Sequence, residues 1–151
     1  MAGILSFLLS CIGQNKDKEK NIDITIPKFK VGQVWKYKNR IGEDNSKVTI
    51  LKIEKYDKGD TIMHIRVDGV NFGNSNSVDS ATQVISHLPF SQKSIELSLT
   101  ELIDSIKNVP DFSEGYKQWR QGFDAGKAGY WTVELKEAIE GMHQAMKQNN
   151  K

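Results

Sequence analysis

Cysteine is almost missing from this chain: Cys11 is the single one among 151 residues. A disulfide or a thiolate metal site needs at least two, so neither can brace the region downstream of it. Histidine is scarce too, and His64, His87 and His143 lie far apart in sequence. That spacing offers no clustered ligand set, so no metal and no tightly bound cofactor is expected. No Gly-rich strand-to-helix turn, Gly-x-Ser-x-Gly, His-Glu-x-x-His or Cys-x-x-Cys is present, which removes the usual signatures of nucleotide, esterase, zinc-protease and thiol-redox chemistry. The stretch Asn71–Asn76 with Asp79 lacks the spacing and terminal Glu of a calcium loop. An excess of one charge is also lacking. Basic residues number 21 against 19 acidic ones, and without a basic stripe no nucleic-acid partner is expected. Locally, Lys16 to Arg40 carries eight Lys/Arg against Asp17, Glu19 and Asp23. This reads as a solvated tether followed by an edge strand, with attraction to an anionic surface as the weaker alternative. No apolar run is long enough to span a bilayer.

What is there begins with a short apolar leader, Met1 to Cys11, ending Leu8-Leu9-Ser10-Cys11. No Lys or Arg precedes its apolar run. The leader's end resembles the lipobox of bacterial lipoproteins. The small Ser10 stands where a signal peptidase of that class needs a small side chain. The resemblance implies that Met1 to Ser10 are removed and that Cys11 becomes an acylated first residue, anchored in the bacterial cell envelope. Gln14 to Asn21 is polar throughout, the composition of a tether between such an anchor and its domain. The alternative is a cytoplasmic protein whose first residues form a short amphipathic helix. The leader carries no information about activity.

Residues 22–151 read as one α+β domain, long enough to bury a core unaided. Ile22, Ile24 and Ile26 alternate with polar residues until Pro27, an edge-strand pattern. Gly32 to Arg40 places Trp35 and Tyr37 on one face. Val48 to Tyr56 is apolar on both faces, which requires a bulge or cover on both sides. Asp57 to Asp60 reads as a hairpin loop. Ile62 to Val70 then alternates, with Met63, Ile65 and Val67 inward and His64, Arg66 and Asp68 outward. After a long loop over Asn71–Ser80, Gln83 to Leu88 is a further strand ended by Pro89. These predict an antiparallel meander of three to five strands. About three helices follow, packed on one face. The first runs from Ser91 to Lys107 on the spacing of Ile95, Leu99, Leu102, Ile103 and Ile106, capped by Ser91 or Ser94. Ser113 caps the second, with Tyr116, Trp119 and Phe123 on its stripe and Gly126 and Gly129 at its end. Thr132 caps the third, with Leu135, Ile139, Met142 and Met146 on its buried side.

The candidate binding residues are Trp131, Tyr130, Arg120 and His87, with Cys11 as the lipidation site. Phe112 to Trp131 holds six of the chain's thirteen aromatic residues, with Arg120 and Lys127 interleaved. Trp, Tyr and Arg dominate binding hot spots. Tyr116, Trp119 and Phe123 fit a core stripe, whereas the adjacent Tyr130 and Trp131 cannot both turn inward. His87 sits at the junction of sheet and helices, a position that can carry function. The expected function is a small non-enzymatic binding protein with an unidentified protein partner, and no residue is assigned as catalytic. The alternative is a small hydrolase using His87 with an acid such as Asp79 or Asp60.

Overall fold

A computed structural model describes residues 28–56, 59–73 and 83–149. The expected α+β architecture is present: a five-stranded antiparallel sheet and three helices. The strands are β1 (Gln33–Tyr37), β2 (Lys47–Glu54), β3 (Ile62–Val70), β4 (Gln83–Ser91) and β5 (Leu99–Ser105). The helices are α1 (Gln92–Ser98), α2 (Ser113–Asp124) and α3 (Leu135–Asn149). The strand order is β4-β3-β2-β1-β5. The expected strand at Ile22–Ile26, the leader, Cys11 and Asp79 lie outside the described residues.

Alternation decides which side chains face which layer. Met63, Ile65 and Val67 of β3 join Val48, Ile50, Phe90, Ile95, Leu135 and Ile139 in one fully buried cluster, so α1 and α3 cover that face. The intervening His64 points to the opposite face. It was expected in water, yet it is completely buried. The aromatic stripe of α2 packs there instead, with Tyr116 and Trp119 against the His64 ring. The helices therefore divide between the two faces of the sheet. The Tyr116–Trp119–Phe123 stripe needs an apolar floor, and the second face supplies it. The doubly apolar β2 has both features its sequence required. Its register shifts between Ile50 and Lys52, and the extra residue Leu51 is buried.

The expected helix over Ser91–Lys107 is two elements. Ser91 caps α1, its hydroxyl accepting from Ser94 N at 3.2 Å. The helix stops at Ser98, and the chain turns extended at Leu99 to pair with the free edge of β1. A neighbouring strand short of a partner outweighs local helical spacing, because pairing satisfies a whole row of backbone groups at once. Trp35 pairs with Leu102 and Val34 with Asp104, so Ile103 is bulged. Thr100 is skipped likewise between Glu101 and Leu99. Two bulges and the acidic Glu101 and Asp104 guard this edge against further strand addition.

Pro89 does not end β4, which continues to Ser91. An edge strand tolerates a residue without N–H, and the Pro89 carbonyl accepts from Trp131 N at 2.9 Å. Two expected caps are also replaced. Ser113 is the first residue of α2, and its N–H is taken by Asp111 Oδ1 at 3.0 Å. Helix α3 starts at Leu135 rather than after Thr132, and Leu135 N–H donates to the Ser98 hydroxyl at 2.9 Å. Met146, expected on the buried side of α3, is 43% exposed. Gly32 has φ +89° and stands against Ile106, where a Cβ would lie 2.2 Å from the carbonyl oxygen.

Candidate functional site

The bulge at Leu51 has a chemical consequence. In an unbroken strand Lys52 and Glu54 would share the face of Ile50. The shift pairs Lys52 with His64 and Glu54 with Ile62, so both turn toward α2. A bulge commonly re-aims side chains in this way. On β4, His87 alternates with the core residue Leu88 and therefore also faces α2.

These residues form one hydrogen-bonded chain. Glu54 is its hub. Its Oε1 accepts from Tyr116 Oη at 2.6 Å and Lys52 Nζ at 3.1 Å. Its Oε2 accepts from His64 Nε2 at 3.0 Å and Tyr56 Oη at 3.3 Å. Arg120 lies 3.9 Å from Oε1 and donates to Tyr56 Oη at 2.9 Å. The other nitrogen of His64, Nδ1, is 2.9 Å from His87 Nε2, and the two rings lie nearly parallel, at 13°, with centroids 5.1 Å apart. Trp119 closes over His64 edge-on at 4.8 Å and donates its indole N–H to Gly129 O at 2.7 Å.

Burial pushes the Glu54 carboxyl up, but the hydrogen bonds from Tyr116, Lys52 and His64 outweigh it and hold the group at about 2. Burial lowers His64 against the opposing pull of Glu54. Burial, helped by the neighbouring His64, brings His87 down to about 4. At neutral pH the hub is a carboxylate and both imidazoles are neutral. That fixes the tautomers. A carboxylate only accepts, so His64 carries its hydrogen on Nε2. Its Nδ1 must then accept from His87 Nε2–H, which leaves the His87 lone pair on Nδ1. Among the described residues no hydroxyl or thiol is hydrogen-bonded to that nitrogen, so the chain has a base at its end and no paired nucleophile.

Two of the four candidate binding residues, His87 and Arg120, touch this chain. His87 ends it. Arg120 touches it through Tyr56 and also pairs with Asp124 Oδ1 at 3.0 Å. Tyr130 is half-buried and donates to Asp60 Oδ2 at 3.1 Å, so Asp60 is engaged away from His87. Trp131 is the outward member of the aromatic pair. Its ring stacks on Phe90 at 6.3 Å yet is 37% exposed. Its backbone is bonded twice to β4, through Pro89 O and Ser91 N. Sequence reasoning missed Glu54, Lys52 and the burial of His64. The usable signal was a stripe of three aromatics on α2 that needed a floor, with a basic–acidic i, i+2 pair facing a histidine across a hairpin.

A second polar cluster sits at the far end of the sheet. His143 is there, half-buried on the flank of α3. Arg40 donates from Nε and Nη2 to both oxygens of the buried Glu43, from Nη2 to Asn71 O at 2.7 Å, and from Nη1 to Glu140 at 3.0 Å. Its remaining N–H faces His143 Nδ1 at 2.9 Å. All five guanidinium hydrogens are thus engaged, and no donor of Arg40 is left for a ligand in the cleft of about 510 Å³ beside it. This cluster is a clamp joining the β1–β2 turn, the end of β3 and α3. A second cleft, of about 450 Å³, is lined by Lys52, Phe112, Ser113 and Tyr116 at the start of α2.

Among the described residues no group of three or more His, Cys, Asp or Glu is placed to hold a metal ion, and no helix is long and apolar enough to cross a membrane. No family model, no curated protein and no solved structure matches this chain.

Proposed function

We propose that this is a small non-enzymatic binding domain, tethered to a bacterial membrane through Cys11, that engages a protein partner with Trp131, Tyr130 and Arg120. One observation carries the reading: Trp131 is exposed on a backbone that cannot move freely. Its two hydrogen bonds to β4 and its stack on Phe90 hold an aromatic surface outward, so little conformational entropy is lost when a partner covers it. Tyr130 precedes it in the chain and is anchored to the β2–β3 connection through Asp60, as Arg120 is through Tyr56. Trp, Tyr and Arg are the residues whose truncation costs interfaces most. The lipid anchor rests on the lipobox-like leader alone.

The test uses the native host. Membrane fractionation of wild type and Cys11→Ser reads the anchor, and release by the substitution is the expected result. Cross-linking from the exposed face then identifies the partner, whose binding is measured with Trp131→Ala and Arg120→Ala. Loss of binding at unchanged melting temperature supports the reading, and full binding by both variants refutes it. A second reading, a small hydrolase with His87 as general base, draws on the Glu54–His64–His87 chain. Ester or amide turnover abolished by His87→Gln would favour it. A cytoplasmic interaction domain differs from the first reading only in the fractionation result.

A further inference from the structure

The His64–His87 pair can take up one proton, and its place is fixed. Added at His87 Nδ1, the proton leaves both existing hydrogen bonds intact, because Nε2–H still donates to His64. A second proton, at His64 Nδ1, would set hydrogen against hydrogen across 2.9 Å between two cationic rings whose centroids are 5.1 Å apart.

The surroundings of that nitrogen are unsuited to charge. His87 packs among Phe112, Tyr116 and Trp119, with ring centroids 6.1, 6.1 and 6.3 Å away. Gly115, in the first turn of α2, passes so close that a Cβ there would stand 3.1 Å from His87 Cβ and 3.6 Å from Nδ1. The first turn of a helix carries partial positive charge. The titratable and charged groups packed around the pair are Lys52, Glu54 and Tyr56 from β2 and its end, and Tyr116 and Arg120 from α2. Glu54 stands behind His64, already shared among its donors. The acidic groups at the start of α2 are turned elsewhere, Asp111 to Ser113 N and Glu114 to Gln118. A proton on His87 therefore meets a helix N-terminus and aromatic rings, with no carboxylate in contact among the described residues.

We propose that His87 is an acid-operated latch on α2: proton uptake at Nδ1 unseats the first turns of the helix and draws Tyr116 away from Glu54. With His87 neutral, Gly115 lies flush over the ring and Tyr116 reaches the carboxylate. With His87 cationic, the start of α2 moves off to admit water to the charge, and the link between the sheet and Arg120 loosens with it. The device is independent of what the exposed face binds.

The test is nuclear magnetic resonance on the full chain, following the imidazole nitrogens and amide-exchange protection from neutral pH down to about pH 3, past the value of about 4 at which His87 titrates. Both rings are expected as Nε2–H tautomers at neutral pH, with one titration step at His87 Nδ1 well below the usual imidazole range. Across that step protection over Ser113–Arg120, normalised for intrinsic exchange, should fall about tenfold more than protection in α3. His87→Gln keeps an N–H donor toward His64 but cannot titrate, so its α2 should stay protected. The idea is overturned by an Nδ1–H tautomer of His87 at neutral pH, by a titration that leaves α2 protection level with α3, or by equal loosening in His87→Gln. The wild-type tautomer and protection data decide the matter alone should the variant not fold.

Discussion

Replacing Glu54 with glutamine keeps the side chain's shape and tests the hub directly. Every group that faces this carboxylate is a donor: Tyr116 and Lys52 at one oxygen, His64 and Tyr56 at the other. A glutamine amide offers one acceptor and an NH₂ group. Whichever way it is turned, one pair of donors meets hydrogens, and the partly buried Lys52 loses its counter-charge. The pair is only partly buried, so its loss costs less than the roughly 3–5 kcal/mol typical of breaking a fully buried one. The shift of Glu54 from 4.5 to about 2 corresponds independently to about 3 kcal/mol by linkage. The expected loss at neutral pH is therefore about 3 kcal/mol, a large part of the roughly 5–15 kcal/mol that holds a domain folded. Urea unfolding followed by circular dichroism should show the midpoint falling by about 1–3 M at an unchanged slope. The pH dependence has a definite sign. A depressed carboxyl pKa stabilises the fold above its unfolded value of about 4.5 and loses that contribution as pH falls toward 2. The gap between wild type and Glu54→Gln should accordingly close on acidification through that window. A loss below about 1 kcal/mol at neutral pH, or a gap that stays constant with pH, would show that the hub contributes no net stability.

Three further outcomes are expected. Trp119→Ala removes a buried ring and its bond to Gly129 O and should cost about 3–5 kcal/mol; Trp131→Ala should cost clearly less in the same chemical-denaturation assay, and equal losses would contradict the assignment. Gly32→Ala demands a Cβ 2.2 Å from the Ile106 carbonyl at φ +89°, so its melting temperature should drop by the equivalent of about 3 kcal/mol or more. Ser98→Ala leaves the first N–H of α3 without its acceptor and should cost about 1–2 kcal/mol, with faster hydrogen exchange at the Leu135 amide as the local readout.

The parts of the fold legible in the sequence are those where local pattern and tertiary demand agree. The alternation of Met63, Ile65 and Val67 marks β3 and its core face, and the two-faced apolar run of β2 signals the bulge at Leu51. The stripe Tyr116–Trp119–Phe123 marks α2. The separation of a buried Trp119 from an exposed Trp131 follows from the same spacing. The misreadings share one physical origin. Leu99, Leu102, Ile103 and Ile106 recur at helical spacing, but their state is decided by the open edge of β1 more than sixty residues earlier. His64 looks solvent-facing within its strand because nothing nearby reveals that α2 will cover that side. The site was hidden for the same reason. Glu54, His64 and His87 come from three strands, and only the Leu51 register shift turns Glu54 toward the other two.

The strand order also sets a schedule for synthesis. Strand β1 finds its outer partner only when β5 exists, and the pair Lys36–Glu101 that straddles this seam is 65 residues apart. At ribosomal rates of about 5–20 residues per second, the edge carrying Val34, Trp35 and Tyr37 waits about 3–13 s for its neighbour. During that interval an apolar strand edge is open to other nascent chains, and α3, whose first amide donates to the Ser98 hydroxyl just ahead of β5, has not yet been made. Closing the seam is thus a late, long-range step, and it is the point in the life of this protein at which chaperone protection would matter most.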